Sequence, residues 1–209
     1  MFAFAIGVQS RIDQVMLGEM IGQEEVGHYS VAYSLIHALG FVPMALLGSF
    51  APAITKAKST SKELYHHRLL NFYRLMFASF LVVALPFMLF GEEFIVLFFG
   101  EPYRRAGFVL SLLSITLIFS HMGVGKSAFI TNESLFRYAF ATAVVGALIN
   151  IGANYVLIPH YASVGAVIAS IISFSVSNYV LDFFFKRTRG NIKRLLYGML
   201  TFWKLTNIK

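Results

Sequence analysis

The sequence predicts an all-α, polytopic integral membrane protein: six membrane-crossing helices over residues 1–185, then a basic amphipathic tail over 186–209. Three observations carry that prediction. Hydrophobic residues make up 57% of the 209 and charged residues 13%, with a mean hydropathy of +0.70, whereas a soluble domain carries roughly a quarter charged residues. Val26 to Thr55 contains no Lys, Arg, Asp or Glu, and neither does Tyr138 to Leu181. A crossing helix needs about 20 apolar residues, so the second run has room for two. Finally, Pro, Gly and charge clusters divide the chain into segments near 2–20, 27–54, 74–98, 106–128, 138–158 and 163–185.

The first segment holds AIGVQSRIDQVML (Ala5 to Leu17), which places Gln9, Ser10, Arg11, Asp13 and Gln14 in a membrane-length helix. With Gln9 at zero and 100° per residue, Asp13 falls at about 40°, Ser10 at about 100°, Gln14 at about 140° and Arg11 at about 200°. One broad face is therefore polar and the other apolar. Arg11 and Asp13 are too far apart around the helix to pair, so each needs water or another helix. Such charges either hold helices together or line a substrate or ion pathway.

The second segment spaces Tyr29, Tyr33 and His37 four apart on one face, and Pro43 and Pro52 are positioned to bend it. His37 either relays protons or hydrogen-bonds within the bundle. The third, LMFASFLVVALPFMLFG, has almost no polar side chain and is expected to face lipid, with Pro86 as a bend. The fourth ends in GVGKS, which lacks the first Gly of a phosphate-binding loop because Ser120 stands there. Lys126 then reads as a residue marking the membrane boundary. The fifth carries Tyr138, Thr142, Gly146, Asn150 and Asn154 on one stripe, and the sixth Ser170, Ser173 and Ser177. Both stripes suit helix packing through small and amide side chains, with ligand contact as the alternative. Asp182, four before Lys186, is expected to form a surface pair with it.

The loops sort by charge. The first, around Glu19, Glu24 and Glu25, is acidic. The second holds Lys56, Lys58, Lys62, Arg68 and Arg74, the fourth Lys126 and Arg137, and the tail seven more, so 14 of the 17 basic residues lie on one side. The positive-inside rule makes that side cytoplasmic, together with both ends of this chain. Dispersal over loops argues against nucleic acid as a partner. In the tail, Ile192, Leu195, Leu196, Met199, Leu200 and Trp203 follow helical spacing opposite Lys and Arg. That suits a helix lying in the interface or docking on a partner. Cysteine is absent, which excludes thiolate metal sites. MFAFAIGVQS has no basic lead-in and is not a signal peptide; opening inside an apolar segment, the chain is expected to lack its beginning. No hydrolase or metalloprotease motif is present, so neither an enzyme nor a cofactor is expected.

Four stretches in order, RIDQVMLGEMIGQEEVGHYSVAYSL, FVPMALLGSFAPAITKAK, IVLFFGEPYRRAGFVLSLLS and NYVLIPHYASVGAVIASIIS, resemble the second half of Wzx-type polysaccharide (O-antigen) flippases. These belong to the superfamily of multidrug, oligosaccharidyl-lipid and polysaccharide exporters. The family pattern usually has Gly where Ala162 stands. The resemblance implies one six-helix lobe of a two-lobe, MATE-like carrier in the inner membrane. Such carriers move an undecaprenyl-diphosphate-linked oligosaccharide to the outer leaflet by alternating access, beside polymerase and glycosyltransferase partners. It makes Arg11 a candidate for the lipid diphosphate, and Gln14, Tyr29, Tyr33, Asn150 and Asn154 candidates for sugar contacts. Asp13 and His37 become candidates for ion coupling. The missing partner would be the first six-helix lobe. A drug or organic-cation antiporter and a non-transporting scaffold of a polysaccharide-assembly complex are the rival functions.

Overall fold

The computed structural model describes the backbone of residues 2–205 and the side chains of 11–205; Gln9 and Ser10 of the polar face, and 206–209 of the tail, lie outside the described side chains. Among these residues the chain is almost entirely helical, without strands. α1 spans Phe2–Met20, α2 Gln23–Leu39, α3 Phe41–Thr60, α4 Lys62–Phe99, α5 Arg104–Ser114, α6 Leu117–Asn132, α7 Phe136–Ser175, α8 Leu181–Phe184 and α9 Arg189–Leu200. A π-helical turn, Val176–Val180, joins α7 to α8.

Local chemistry explains where these helices stop and bend. Gly40 separates α2 from α3 one turn before Pro43, where the missing N–H and the ring of a proline disrupt the preceding turn. Pro52 is carried inside α3. Ser61 caps α4, its Oγ accepting from the Leu64 N–H at 3.0 Å. The kink in α4 falls at Phe90 (φ −126°, ψ 26°) rather than at Pro86. There Gly91 meets Gly107 of α5 so closely that a Cβ on Gly107 would stand 2.5 Å from Glu92 Cα. The predicted fourth segment is two helices, α5 and α6, parted after Ser114 and Thr116 turn their hydroxyls onto the carbonyls of Leu110 and Leu113.

Residues 136–184 fold back on themselves at Ala162 (φ 49°, ψ −129°). Asn150 reaches Ser170 at 3.4 Å, although 20 helical residues would separate them by about 30 Å in a straight rod. A Cβ on Gly165 would lie 2.4 Å from the Leu157 carbonyl oxygen, and one on Gly146 2.9 Å from Ser177 Cβ. The stripe of small and amide residues is thus the seam of an antiparallel hairpin.

Two apolar cores result. One gathers Leu17, Tyr29, Ile36, Phe80, Leu110 and Ile158; the other Ile54, Leu69, Phe72, Met76, Phe129 and Leu195. α4 runs through both. The third predicted segment therefore does not simply face lipid: Met76, Phe80, Ala84 and Ile95 pack inward while Val82, Leu85, Leu89, Leu97 and Phe98 are exposed. α9 lies on the first half of α4. Its Ile192, Leu195 and Gly198 are buried, and Arg74 clasps the chain beyond its end, donating to Thr201 Oγ1 at 3.1 Å and to the Lys204 carbonyl at 2.9 Å.

Candidate functional site

Asp13 is buried at the junction of α1, α2 and both limbs of α7. Its carboxylate accepts from Asn154 Nδ2 at 2.6 Å, Ser170 Oγ at 2.9 Å and Tyr29 Oη at 3.0 Å. Asn154 also donates to Asn150 Oδ1 at 3.3 Å, and Asn150 in turn to Ser170. The amide–hydroxyl stripe of α7 and the tyrosine of α2 therefore meet the aspartate of α1 in one polar centre among apolar side chains. Asn154 Oδ1, buried beside the carboxylate, has no hydrogen-bond partner among the described residues. A carboxylate ringed by neutral dipoles, with a free carbonyl oxygen next to it, can hold a proton or a small cation and release it.

The other predicted residues take different places. Arg11 is exposed, as is His37, while Gln14 and Tyr33 are half-buried. The rings of Tyr29, Tyr33 and His37 form a continuous run, with centroids 6.1 and 5.9 Å apart. Tyr29, Asn150 and Asn154 are buried, and the Tyr29 hydroxyl and both asparagine amide nitrogens donate within the protein.

Two further polar centres went unread in the sequence. Asp182 does not pair with Lys186 on the surface. It is buried, and Lys126 Nζ lies 3.0 Å from its Oδ2, while Tyr138 Oη donates to Oδ1 at 2.7 Å. The π turn supplies the Asn178 carbonyl to the same ammonium at 3.2 Å. Lys126 is thus one half of a buried ion pair rather than a boundary residue. The available signal was a single base in one apolar helix and a single acid ending another. Glu25, assigned to an acidic loop, is also buried. It accepts from the Ser163 N–H at 3.1 Å and from its hydroxyl, and it pairs with Arg105 at 2.8 Å. That arrangement pins the Ala162 turn to the starts of α2 and α5, beside a cleft of about 450 Å³ lined by Glu92, Arg104 and Tyr161. Among the described residues no group of three or more His, Asp or Glu gathers to hold a metal ion.

Four stretches, Gln23–Thr60, Lys62–Phe99, Glu101–Asn132 and Phe136–Phe184, are long and apolar enough to cross a membrane, and the outward faces of their helices are covered by nothing in the fold. With buried charged groups hydrogen-bonded or paired inside and large apolar residues outside, the chain is a multi-pass α-helical membrane protein. Its resemblances to known proteins are distant. It is 24% identical over 173 residues to the "Probable low-salt glycan biosynthesis flippase Agl15" of Haloferax volcanii, covering 80% of this chain and 36% of that protein. It is 25% identical over 194 residues to "Capsular polysaccharide biosynthesis protein CapF" of Staphylococcus aureus, covering 89% of this chain and 48% of that one. The chain thus spans about half, or less, of the length of these curated relatives. No protein-family model and no solved structure matches it.

Proposed function

We propose that this chain forms a lobe of a flippase that carries a lipid-linked oligosaccharide, of the undecaprenyl-diphosphate type, from the inner to the outer leaflet for polysaccharide biosynthesis. The observation that carries the reading is its similarity, over most of its length, to a named glycan flippase and a named capsular polysaccharide protein. A polar centre inside an apolar bundle supports it, since intramembrane ionisable groups mark pathways. In this reading the hairpin of residues 136–184 supplies two crossings, and α1, α2–α3, α4 and α5–α6 supply four. The basic loops and tail face the cytoplasm. The protein is a carrier rather than a catalyst.

Arg11, exposed on α1, offers a guanidinium fork to the lipid diphosphate. Asp13, with Asn150, Asn154 and Ser170 around it, is the ion-coupling group, and His37 at the end of the aromatic run is the second candidate. Gln14 and Tyr33, both half-buried, are the candidates for sugar contacts. Tyr29 and the two asparagines instead set the geometry of Asp13.

The test uses the source cell. Disruption of the gene should cause lipid-linked oligosaccharide to accumulate in the cytoplasmic leaflet, and the natural gene should clear it. Arg11→Ala should fail to clear it while reaching the membrane at normal level. Clearance by Arg11→Ala would remove the diphosphate role; no accumulation on disruption would remove the flippase reading.

A further inference from the structure

We propose that the notch between the first turns of α4 and α9 is a binding site for a phosphate group. It lies on the opposite half of the fold from Asp13, where the loop before α4 meets the tail, and it stands independently of the flippase reading.

α4 presents Lys62 and His66 one turn apart, with Tyr65 beside them; the Tyr65 and His66 rings have centroids 5.5 Å apart. α9 presents Asn191 and Arg194, three positions apart and hence on one face. The helices are clasped by Tyr73 Oη, which donates to Asn191 Oδ1 at 2.9 Å. That bond leaves the Asn191 amide nitrogen buried without a partner among the described residues, although the residue is only 2% exposed. His66 Nδ1 is likewise buried and unpartnered. The charges of Arg194, Lys62 and Glu133 all act on His66, Arg194 and Glu133 act on Tyr65, and Arg194 acts on Tyr73, so these groups lie near one another.

Arg194 is the telling residue. It is half-buried, and among the described residues neither a carboxylate nor a hydrogen-bond acceptor stands against its guanidinium. Burial without an anion holds it below the ordinary arginine value. The nearby carboxylate, Glu133, is already neutralised by Lys58 at 2.9 Å. The buried Asn191 amide and His66 ring nitrogen are costly to leave unpartnered, and the half-buried Arg194 guanidinium beside them has no protein acceptor among the described residues. A phosphate group has oxygens enough for the arginine fork and the other donors together. Either a lipid headgroup or soluble phosphate would supply that chemistry.

Native mass spectrometry of the full chain in neutral detergent tests the site, with phosphatidylglycerol, a phosphate-free glycolipid, or that glycolipid plus inorganic phosphate. A retained phosphate-bearing adduct is expected, weakened about tenfold by Arg194→Gln, which is what one charge-assisted hydrogen bond carries. Lys193→Gln, which removes the same charge from the exposed face of α9, should leave it unchanged. Retention of phosphatidylglycerol but not inorganic phosphate identifies a headgroup; retention of inorganic phosphate identifies a soluble ligand. Should Arg194→Gln not fold, His66→Gln serves with the same expectation. No adduct, or equal weakening by Arg194→Gln and Lys193→Gln, would overturn the proposal.

Discussion

Asn154 donates its side-chain amide to the carboxylate of Asp13 at 2.6 Å, joining residues 141 positions apart in the chain. The bond fastens α1 to the first limb of the α7 hairpin, and Ser170 fastens the second limb to the same carboxylate. Asn154→Ala would leave a buried carboxylate short of a donor and should cost about 1.5–3 kcal/mol. Thermal unfolding in detergent reads this directly; an unchanged midpoint would mean that the bond contributes nothing. Asp13→Asn keeps the shape and removes the charge. It should retain most of the stability but lose any dependence of transport on an ion gradient.

The Lys126–Asp182 pair is nearly dry, with side chains 9% and 1% exposed. Lys126→Met strands a buried carboxylate that still holds Tyr138, and the expected loss is about 3–5 kcal/mol. Lys126→Met combined with Asp182→Leu removes both charges and should be less damaging than Lys126→Met alone. Additive losses in that double-mutant cycle would show that the two groups are not coupled.

Ala162 occupies a positive φ of 49° with ψ −129°, a conformation that suits the first central residue of a tight reverse turn and favours glycine. Ala162→Gly relieves strain of about 1–2 kcal/mol while loosening the unfolded chain by about 0.4–1 kcal/mol. A net gain of about 0–1.6 kcal/mol is expected, whereas Ala162→Val should destabilise. A lower midpoint for Ala162→Gly would show that the alanine methyl packs usefully in the turn.

Gly198 lets α9 lie against α4, because a Cβ there would stand 2.9 Å from Tyr73 Cβ and 3.4 Å from the Leu70 carbonyl oxygen. Gly198→Leu should lift the tail helix from the bundle. Trypsin would then cleave at Lys193 and Arg194 several times faster, and emission from Trp203, the chain's single tryptophan, should shift. Unchanged cleavage would mean that the clasp of Arg74 on Thr201 and Lys204 suffices to hold the tail.

How far the sequence could be read differs from residue to residue. The stripe Tyr138 to Asn154 was visible as a face, because four-residue spacing is a property of one helix. Its partners were not, because Ser170 and Ser177 meet it only after the chain reverses at Ala162. Asp182 illustrates the opposite error. Its local neighbour Lys186 suggested a surface pair, yet burial brought it to Lys126, 56 positions away. The Gly40 break lies one turn before Pro43, within reach of the local rule, whereas the Phe90 kink was hidden because it accompanies the contact of Gly91 with another helix.

By itself the sequence determined the helical class, the long apolar segments, the division of charge between the two sets of loops and the amphipathic tail. Those properties sum over neighbouring residues, and the cost of exposing backbone or charge to hydrocarbon makes such sums decisive. The tertiary structure alone decided which polar groups meet: Asp13 with Tyr29, Asn154 and Ser170, Lys126 with Asp182, and Glu25 with Ser163 and Arg105. A hydrogen bond is made or lost within about half an ångström. Its partners are therefore set by the rotation and crossing of whole helices, which no local pattern specifies.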